Sequence, residues 1–131
     1  MKLSPNTRYA VRLLFELDAM RLPISTSALS QKTGITLRAI ENVHTVLKQH
    51  GITDATVGPK GGITLQRPLA DISLGELVDW FDEGVEFAVC CGEKANDCPQ
   101  QNLCQTRSVW RCISDEVRQS LDAFSLAEIL R

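Results

Sequence analysis

Apolar residues recur at helical spacing through the first fifty positions of the chain. Ala10, Leu13, Leu14, Leu17 and Met20 fall on one stripe, which predicts a helix over about residues 5–21. Ser4 offers an N-cap oxygen, Pro5 suits the first helical position because an amide hydrogen there would go unpaired, and Pro23 ends the segment. Ser25-Thr26-Ser27 offers a second cap, and Ala28, Leu29 and Thr33 precede Gly34, a C-terminal stop. Thr36 caps a third helix, in which Leu37, Ile40, Val43 and Leu47 form the inward face until Gly51. A short helix, a glycine-containing turn and a longer helix are the marks of a helix-turn-helix.

The period then shortens. Ile52 to Val57 is β-branched and alternating, Gly58-Pro59-Lys60-Gly61-Gly62 is a turn, and Ile63 to Arg67 alternates again before Pro68. A hairpin directly after a helix-turn-helix is the layout of a winged helix. Ser73-Leu74-Gly75-Glu76 reads as a capping box opening a short helix that carries Leu77, Val78, Trp80 and Phe81. Residues 84–104 lack periodicity, broken by Gly84, Gly92, Asn96, Asp97, Pro99 and Asn102. A long helix is predicted over about 105–124, with Val109, Ile113, Val117, Leu121 and Phe124 on one stripe, and Ser125 to Glu128 reads as a second capping box. The expected fold is mainly α with a small β-hairpin. Residues 1–67 form the winged helix-turn-helix DNA-binding domain, and residues 68–131 carry a cysteine-containing signal loop and a dimerisation helix.

That division coincides with a change of charge. The net charge of −2 hides nine Lys/Arg against four Asp/Glu in residues 1–67 and five against twelve in residues 68–131. The first part therefore carries +5 and the second −7, a basic module for a polyanion beside an acidic one. At 44% apolar and 23% charged residues the chain can bury a core. No stretch approaches the roughly 20 apolar residues that span a bilayer. The N-terminus turns polar before a signal-peptide apolar segment forms, so a cytoplasmic protein is expected.

The cysteines are as uneven as the charge. All five (Cys90, Cys91, Cys98, Cys104 and Cys112) lie within 23 residues. An odd number without an export signal argues against a disulfide framework and for a metal, a cluster or thiol redox chemistry. Cys91, Cys98 and Cys104 are separated by six and five residues, whereas structural zinc prefers pairs with about two to four between them. The wider spacing suits a loop wrapped around a larger object, and thiolates are the standard ligands of iron–sulfur clusters. Cys90 is an alternative ligand, and Cys112, within the long helix, reads as a small core residue.

The third helix is the candidate reading element. Thr36, Arg38, Glu41, Asn42 and Thr45 lie on its polar face, where arginine suits guanine edges, asparagine adenine and glutamate the amine of cytosine. Lys60 sits on the wing between Pro59 and Gly61, and Arg8, Lys32, Lys48 and Arg67 are candidate phosphate contacts. DNA readers of this layout commonly dimerise about a two-fold axis, and the long apolar helix is the element expected to meet the second copy. His44 and His50 lack any nucleophile or acid partner suggested by the sequence and read as solvated helix residues, so no enzyme is expected.

Arg8-Tyr9-Ala10-Val11, Ile35-Thr36-Leu37, Gly58-Pro59 with Gly61-Gly62, and the three-cysteine loop, in this order, resemble the Rrf-type (Rrf-two) winged-helix transcription regulators over essentially the whole chain. The resemblance implies a homodimer crossing over through its long helix and gene control by a cluster or small-molecule signal. It aligns Cys91, Cys98 and Cys104 with three cluster-binding cysteines, Arg38 and Glu41 with base-reading positions, and Lys60 with a wing approaching the minor groove. The chain also departs from the family. Arg107 stands where some members place a ligand histidine, Arg8 where others place an acidic ligand, and Val57 where many carry a wing arginine. Cys90, Asn6, Cys112 or solvent remain open as the fourth ligand. The function expected is a DNA-binding regulator holding a [2Fe–2S] or [4Fe–4S] cluster. The alternatives are a cluster-free thiol or zinc sensor, and a winged-helix protein acting through a partner enzyme.

Overall fold

The computed structural model describes residues 2–82, 84–88, 98–100 and 102–129. Helix α1 (Pro5–Met20) starts where the Ser4 hydroxyl accepts the Thr7 amide at 3.3 Å. It stops at Arg21, which takes the left-handed conformation (φ 54°) and returns its N–H to Leu17. The helix thus ends three residues before Pro23, through its own C-cap. Helix α2 (Thr26–Thr33) is capped by Ser25 and closed by Gly34 at φ 72°, and α3 (Leu37–Gln49) is capped by Thr36. Each begins on a hydroxyl that satisfies an amide the helix itself cannot.

Strands β1 (Thr53–Thr56) and β2 (Gly62–Leu65) pair antiparallel, with Thr53 opposite Leu65 and Thr56 opposite Gly62. Ile63 also exchanges both backbone bonds with Ile24, so the hairpin is pinned to the segment between α1 and α2. That contact needs a glycine next door: a Cβ on Gly62 would collide with the Ile24 backbone. A single 3-10 turn (Leu69–Asp71) leads into α4 (Leu74–Asp82). The Ser73 capping box is complete, with the Ser73 amide on Glu76 at 2.9 Å and the Glu76 amide on the Ser73 hydroxyl at 3.1 Å. The box at Ser125 is half made. Its amide reaches the Glu128 carboxylate, but the Glu128 amide goes to the Ser125 carbonyl instead of the hydroxyl.

Helices α5 (Arg107–Asp122) and α6 (Leu126–Ile129) complete the chain. The core joins Leu13, Leu14 and Leu17 of α1 to Leu29, Ile40, Val43 and Leu47 of α2 and α3, to Ile52 and Ile63 of the hairpin, and to Leu69, Ile72, Leu77 and Leu126. Leu126 reaches it because α6 folds back, its amide on the Ile72 carbonyl at 2.9 Å. Two expectations fail. Leu37, the first residue of α3, lies before the helix meets the core and is 47% exposed. Cys112 is exposed as well, because the only buried residue of α5 is Ser114, on the opposite side toward Phe87. Among the described residues no helix is long and apolar enough to cross a membrane.

Candidate nucleic-acid interface and cysteine segment

The core-facing residues Ile40, Val43 and Leu47 fix the rotation of α3 and leave Arg38, Glu41, Asn42 and Thr45 exposed on its other side. Thr36 has spent its hydroxyl on the Ala39 amide at 3.3 Å, so it positions the helix start. Thr45 donates its hydroxyl to the Glu41 carbonyl at 2.8 Å and keeps only acceptor capacity for a ligand. Arg38, Glu41 and Asn42 enter none of the side-chain hydrogen bonds or ion pairs found among the described residues. They form a free donor–acceptor set on the outer face of the second helix of a helix-turn-helix.

Lys60 is exposed at the wing tip. Arg8 is exposed in the first turn of α1. The other three candidate phosphate contacts are engaged. Lys32 lies 3.9 Å from Glu16 and Lys48 lies 3.7 Å from Asp54, both exposed pairs that water or a phosphate can replace. Arg67 is held by the Asp71 carbonyl and by Glu76 at 3.5 Å, on the side of α4.

Neither histidine is simply solvated. His44 is half-buried, its Nδ1 2.9 Å from the Thr53 hydroxyl, and burial followed by the nearby Lys48 lowers its pKa against the pull of Asp54. The His50 ring stacks on Trp80 with centroids 4.1 Å apart and planes 11° from parallel, joining the end of α3 to α4. A second tie holds the same C-terminal end of α4. Asp82 accepts the Ser4 amide at 2.9 Å on one oxygen and the Thr7 hydroxyl on the other. On its outer side α4 meets α5 through Arg118, which pairs with Asp79 and, at 2.9 Å, with Asp122. Helix α4 therefore touches both ends of the reading head and the long helix. Sequence reasoning missed these ties because each joins residues tens of positions apart.

Cys90 and Cys91 lie outside the described residues. Cys98 is half-buried, and Cys104 is exposed just before α5 with its sulfur 3.2 Å from the Thr106 hydroxyl. That hydroxyl, then the Thr106 and Arg107 amides and the Arg107 charge, hold the Cys104 thiol below its ordinary pKa. Such a site favours the thiolate that soft metals and clusters bind. Cys104 and Cys112 line one open groove along α5 with Arg107, Arg111 and Glu116. Among the described residues no three His, Cys, Asp or Glu side chains stand close enough to hold a metal ion.

A helix-turn-helix with a two-stranded wing and a free polar face on its second helix defines a DNA-binding transcription regulator. The chain belongs to the Rrf2 family, described as iron-dependent transcriptional regulators, which it matches over residues 3–131. It is 31% identical to the protein rrf2 of Nitratidesulfovibrio vulgaris over 133 residues, covering 100% of this chain and 88% of that protein. It is 29% identical to the HTH-type transcriptional regulator IscR of Vibrio atlanticus over 133 residues, covering 100% of this chain and 76% of the relative. Its fold is similar to that of CymR, the global cysteine regulator of B. subtilis (TM-score 0.75, 21% identity, 98% of this chain and 95% of that one). It is also similar in fold to T. potens IscR (TM-score 0.73, 24% identity, 99% and 86%).

Proposed function

We propose that this regulator binds operator DNA as a homodimer, with Arg38, Glu41, Asn42 and Thr45 reading bases in the major groove. In this reading Thr36 and Arg8 support the helix from its flanks, and Lys60 of the wing meets the phosphates of the adjoining minor groove. Residues 1–67 then form the reading part and residues 68–131 the part that senses and dimerises. The observation that carries the proposal is the outer face of α3, where an arginine, a glutamate and an asparagine stand exposed without side-chain partners among the described residues. Left in water such a set gains nothing, whereas against base edges each good pair contributes about 1–3 kcal/mol of discrimination.

The cysteine segment is the signal site in this proposal, with Cys91, Cys98 and Cys104 holding an iron–sulfur cluster and Cys90 or another group completing the set. The chemistry of the described donors fits: Cys104 sits where hydrogen bonds favour its thiolate, and Cys98 is sheltered. What a cluster supplies when bound is a redox-sensitive centre that ties the segment between α4 and α5 to one arrangement. The chain's own residues do the rest. Because Trp80 and Asp82 hold α4 to the C-terminus of α3 and the N-terminus of α1, a shift of α4 re-aims the reading head. A cytoplasmic location follows from this role.

The test begins with duplexes selected by the purified protein from a random-sequence pool. Affinity should fall linearly with log salt, and Arg38→Ala should lower it roughly 10- to 100-fold on the selected sequence and far less on a scrambled one. Equal losses on both duplexes would remove α3 from base reading. Protein isolated without oxygen should carry visible absorption with matched iron and sulfide, lost in Cys98→Ala. A colourless protein that cannot be reconstituted would move the signal to the bare thiols, to zinc or to a partner enzyme.

A further inference from the structure

The wing tip is stiff. The Gly61 amide donates to the Gly58 carbonyl at 3.0 Å, closing a turn in which Pro59 has its φ fixed by its ring. Gly58 adopts φ 117°, which only glycine takes readily, and a Cβ on Gly61 would collide with the Thr56 carbonyl. Such a tip fixes the backbone from which Val57 and Lys60, both exposed, extend. Val57 is 103% exposed, so the described residues leave its methyl groups to solvent. The valine has one stiff torsion, and immobilising it against a partner costs little entropy.

What lies opposite follows from the proposed DNA reading, on which this inference rests. With α3 in the major groove, the groove across the next phosphate strand is the minor one. Only His50, Gly51 and Ile52 separate α3 from β1, so the hairpin has little slack to reach farther. The rim of that groove is anionic and its walls are the C–H edges of deoxyribose, matching a lysine beside two methyl groups.

We propose that Val57 packs against the sugar walls of the minor groove, so that the wing selects operator flanks by shape and deformability instead of by charge. An apolar wedge needs a groove that opens, which flexible pyrimidine–purine steps allow. A cation at the same place gains from a narrow A-tract, where the negative potential is highest. The wild type should therefore prefer TA-step flanks to A-tract flanks outside its half-sites.

Fluorescence anisotropy on the pool-selected duplex, with its flanks changed to either type, tests this over a salt series. Val57→Ala should weaken binding about 15-fold, the loss expected for two buried carbons, with the salt slope unchanged. Lys60→Ala should instead reduce the slope by about 0.9, one phosphate contact. Val57→Arg should steepen the slope by a similar amount and reverse the flank preference. All three side chains lie at an exposed tip, and circular dichroism checks that each variant folds as wild type does. A Val57→Ala protein within two-fold of wild type, or a Val57→Arg protein with the wild-type flank ranking, would overturn the inference alone. A wild-type protein without salt-dependent duplex binding would overturn the DNA reading with it.

Discussion

The carboxylate of Asp82 receives the Ser4 amide on one oxygen and the hydroxyl of the fully buried Thr7 on the other. Removing it leaves the Thr7 hydroxyl only the longer contact with the Ser4 hydroxyl at 3.3 Å and frees the Ser4 amide at the start of α1, so the loss exceeds one ordinary hydrogen bond. Asp82→Ala should lower the urea-unfolding free energy by about 1–3 kcal/mol, whereas Thr7→Val, which removes the buried hydroxyl itself, should cost less. An equal or larger loss in Thr7→Val would mean that packing, and not the hydrogen bond, sets the effect. His44 makes a different prediction. Its folded pKa lies below the unfolded 6.5, so above that pH both states hold a neutral ring and the stability it contributes is complete. As pH falls below 6.5 the unfolded chain takes up a proton that the folded chain resists, and stability declines until the folded imidazole protonates too. The drop in urea midpoint between about pH 7.5 and pH 5.5 should shrink in His44→Gln, and an unchanged drop would assign it to other groups.

At the scale of elements, two glycines with crowded Cβ positions should behave in opposite ways. A Cβ on Gly62 meets the Ile24 backbone, which cannot rotate aside without breaking the paired bonds between Ile24 and Ile63. Gly62→Ala should therefore detach the wing from the α1–α2 segment and cost about 1–3 kcal/mol, with faster proteolysis within residues 53–65. A Cβ on Gly75 meets chiefly the Asp122 carboxylate, the end of a side chain that can turn away. The exposed ion pair with Arg118 given up there is worth about 0.3–0.5 kcal/mol, and alanine at this first-turn position recovers part of the roughly 0.5–1 kcal/mol that it gains over glycine in mid-helix. Gly75→Ala should be neutral or slightly stabilising in urea unfolding, and a loss above 1 kcal/mol would show that α4 and α5 are locked together more rigidly than this pair suggests. The elements themselves were legible in sequence because their ends are made locally. Ser4, Ser25, Thr36 and Ser73 each cap a helix within three residues, and Gly34 and the Gly58–Gly62 turn need only their own backbone. The exposed polar face of α3 was legible for the same reason, since periodicity alone sets which side Ile40, Val43 and Leu47 turn inward. The stack of His50 on Trp80, the grip of Asp82 on α1 and the exposure of Leu37 and Cys112 depend on which distant element arrives, and no local pattern encodes that.

For the whole molecule the telling feature is α5, sixteen residues long with only Ser114 buried. Val109, Trp110 and Ile113 are each between 40% and 49% exposed along one side, although the sequence spaces them as a helix spaces a buried stripe. Intramolecular packing uses the adjoining face, where Arg118 meets Asp79 and Ser114 meets Phe87, and among the described residues it leaves these three apolar side chains largely uncovered. A second copy of α5 about a two-fold axis would cover it with its own equivalent, the arrangement that also sets two reading helices toward two half-sites. Ile113→Glu should accordingly weaken self-association at least ten-fold by sedimentation equilibrium, while the far-ultraviolet spectrum and the binding of a single half-site stay near wild type. Affinity for a full two-half-site duplex should fall much further than affinity for one half-site, because linking the two heads no longer supplies the effective concentration for the second contact. A variant that sediments as the wild type does would place the dimer contact elsewhere. The same variant also separates the two ways by which a signal in the cysteine segment can act. If the signal works by re-spacing two heads, half-site binding by the monomeric variant should ignore it. If it works through α4 within one chain, by Trp80 and Asp82, the monomeric variant should still respond.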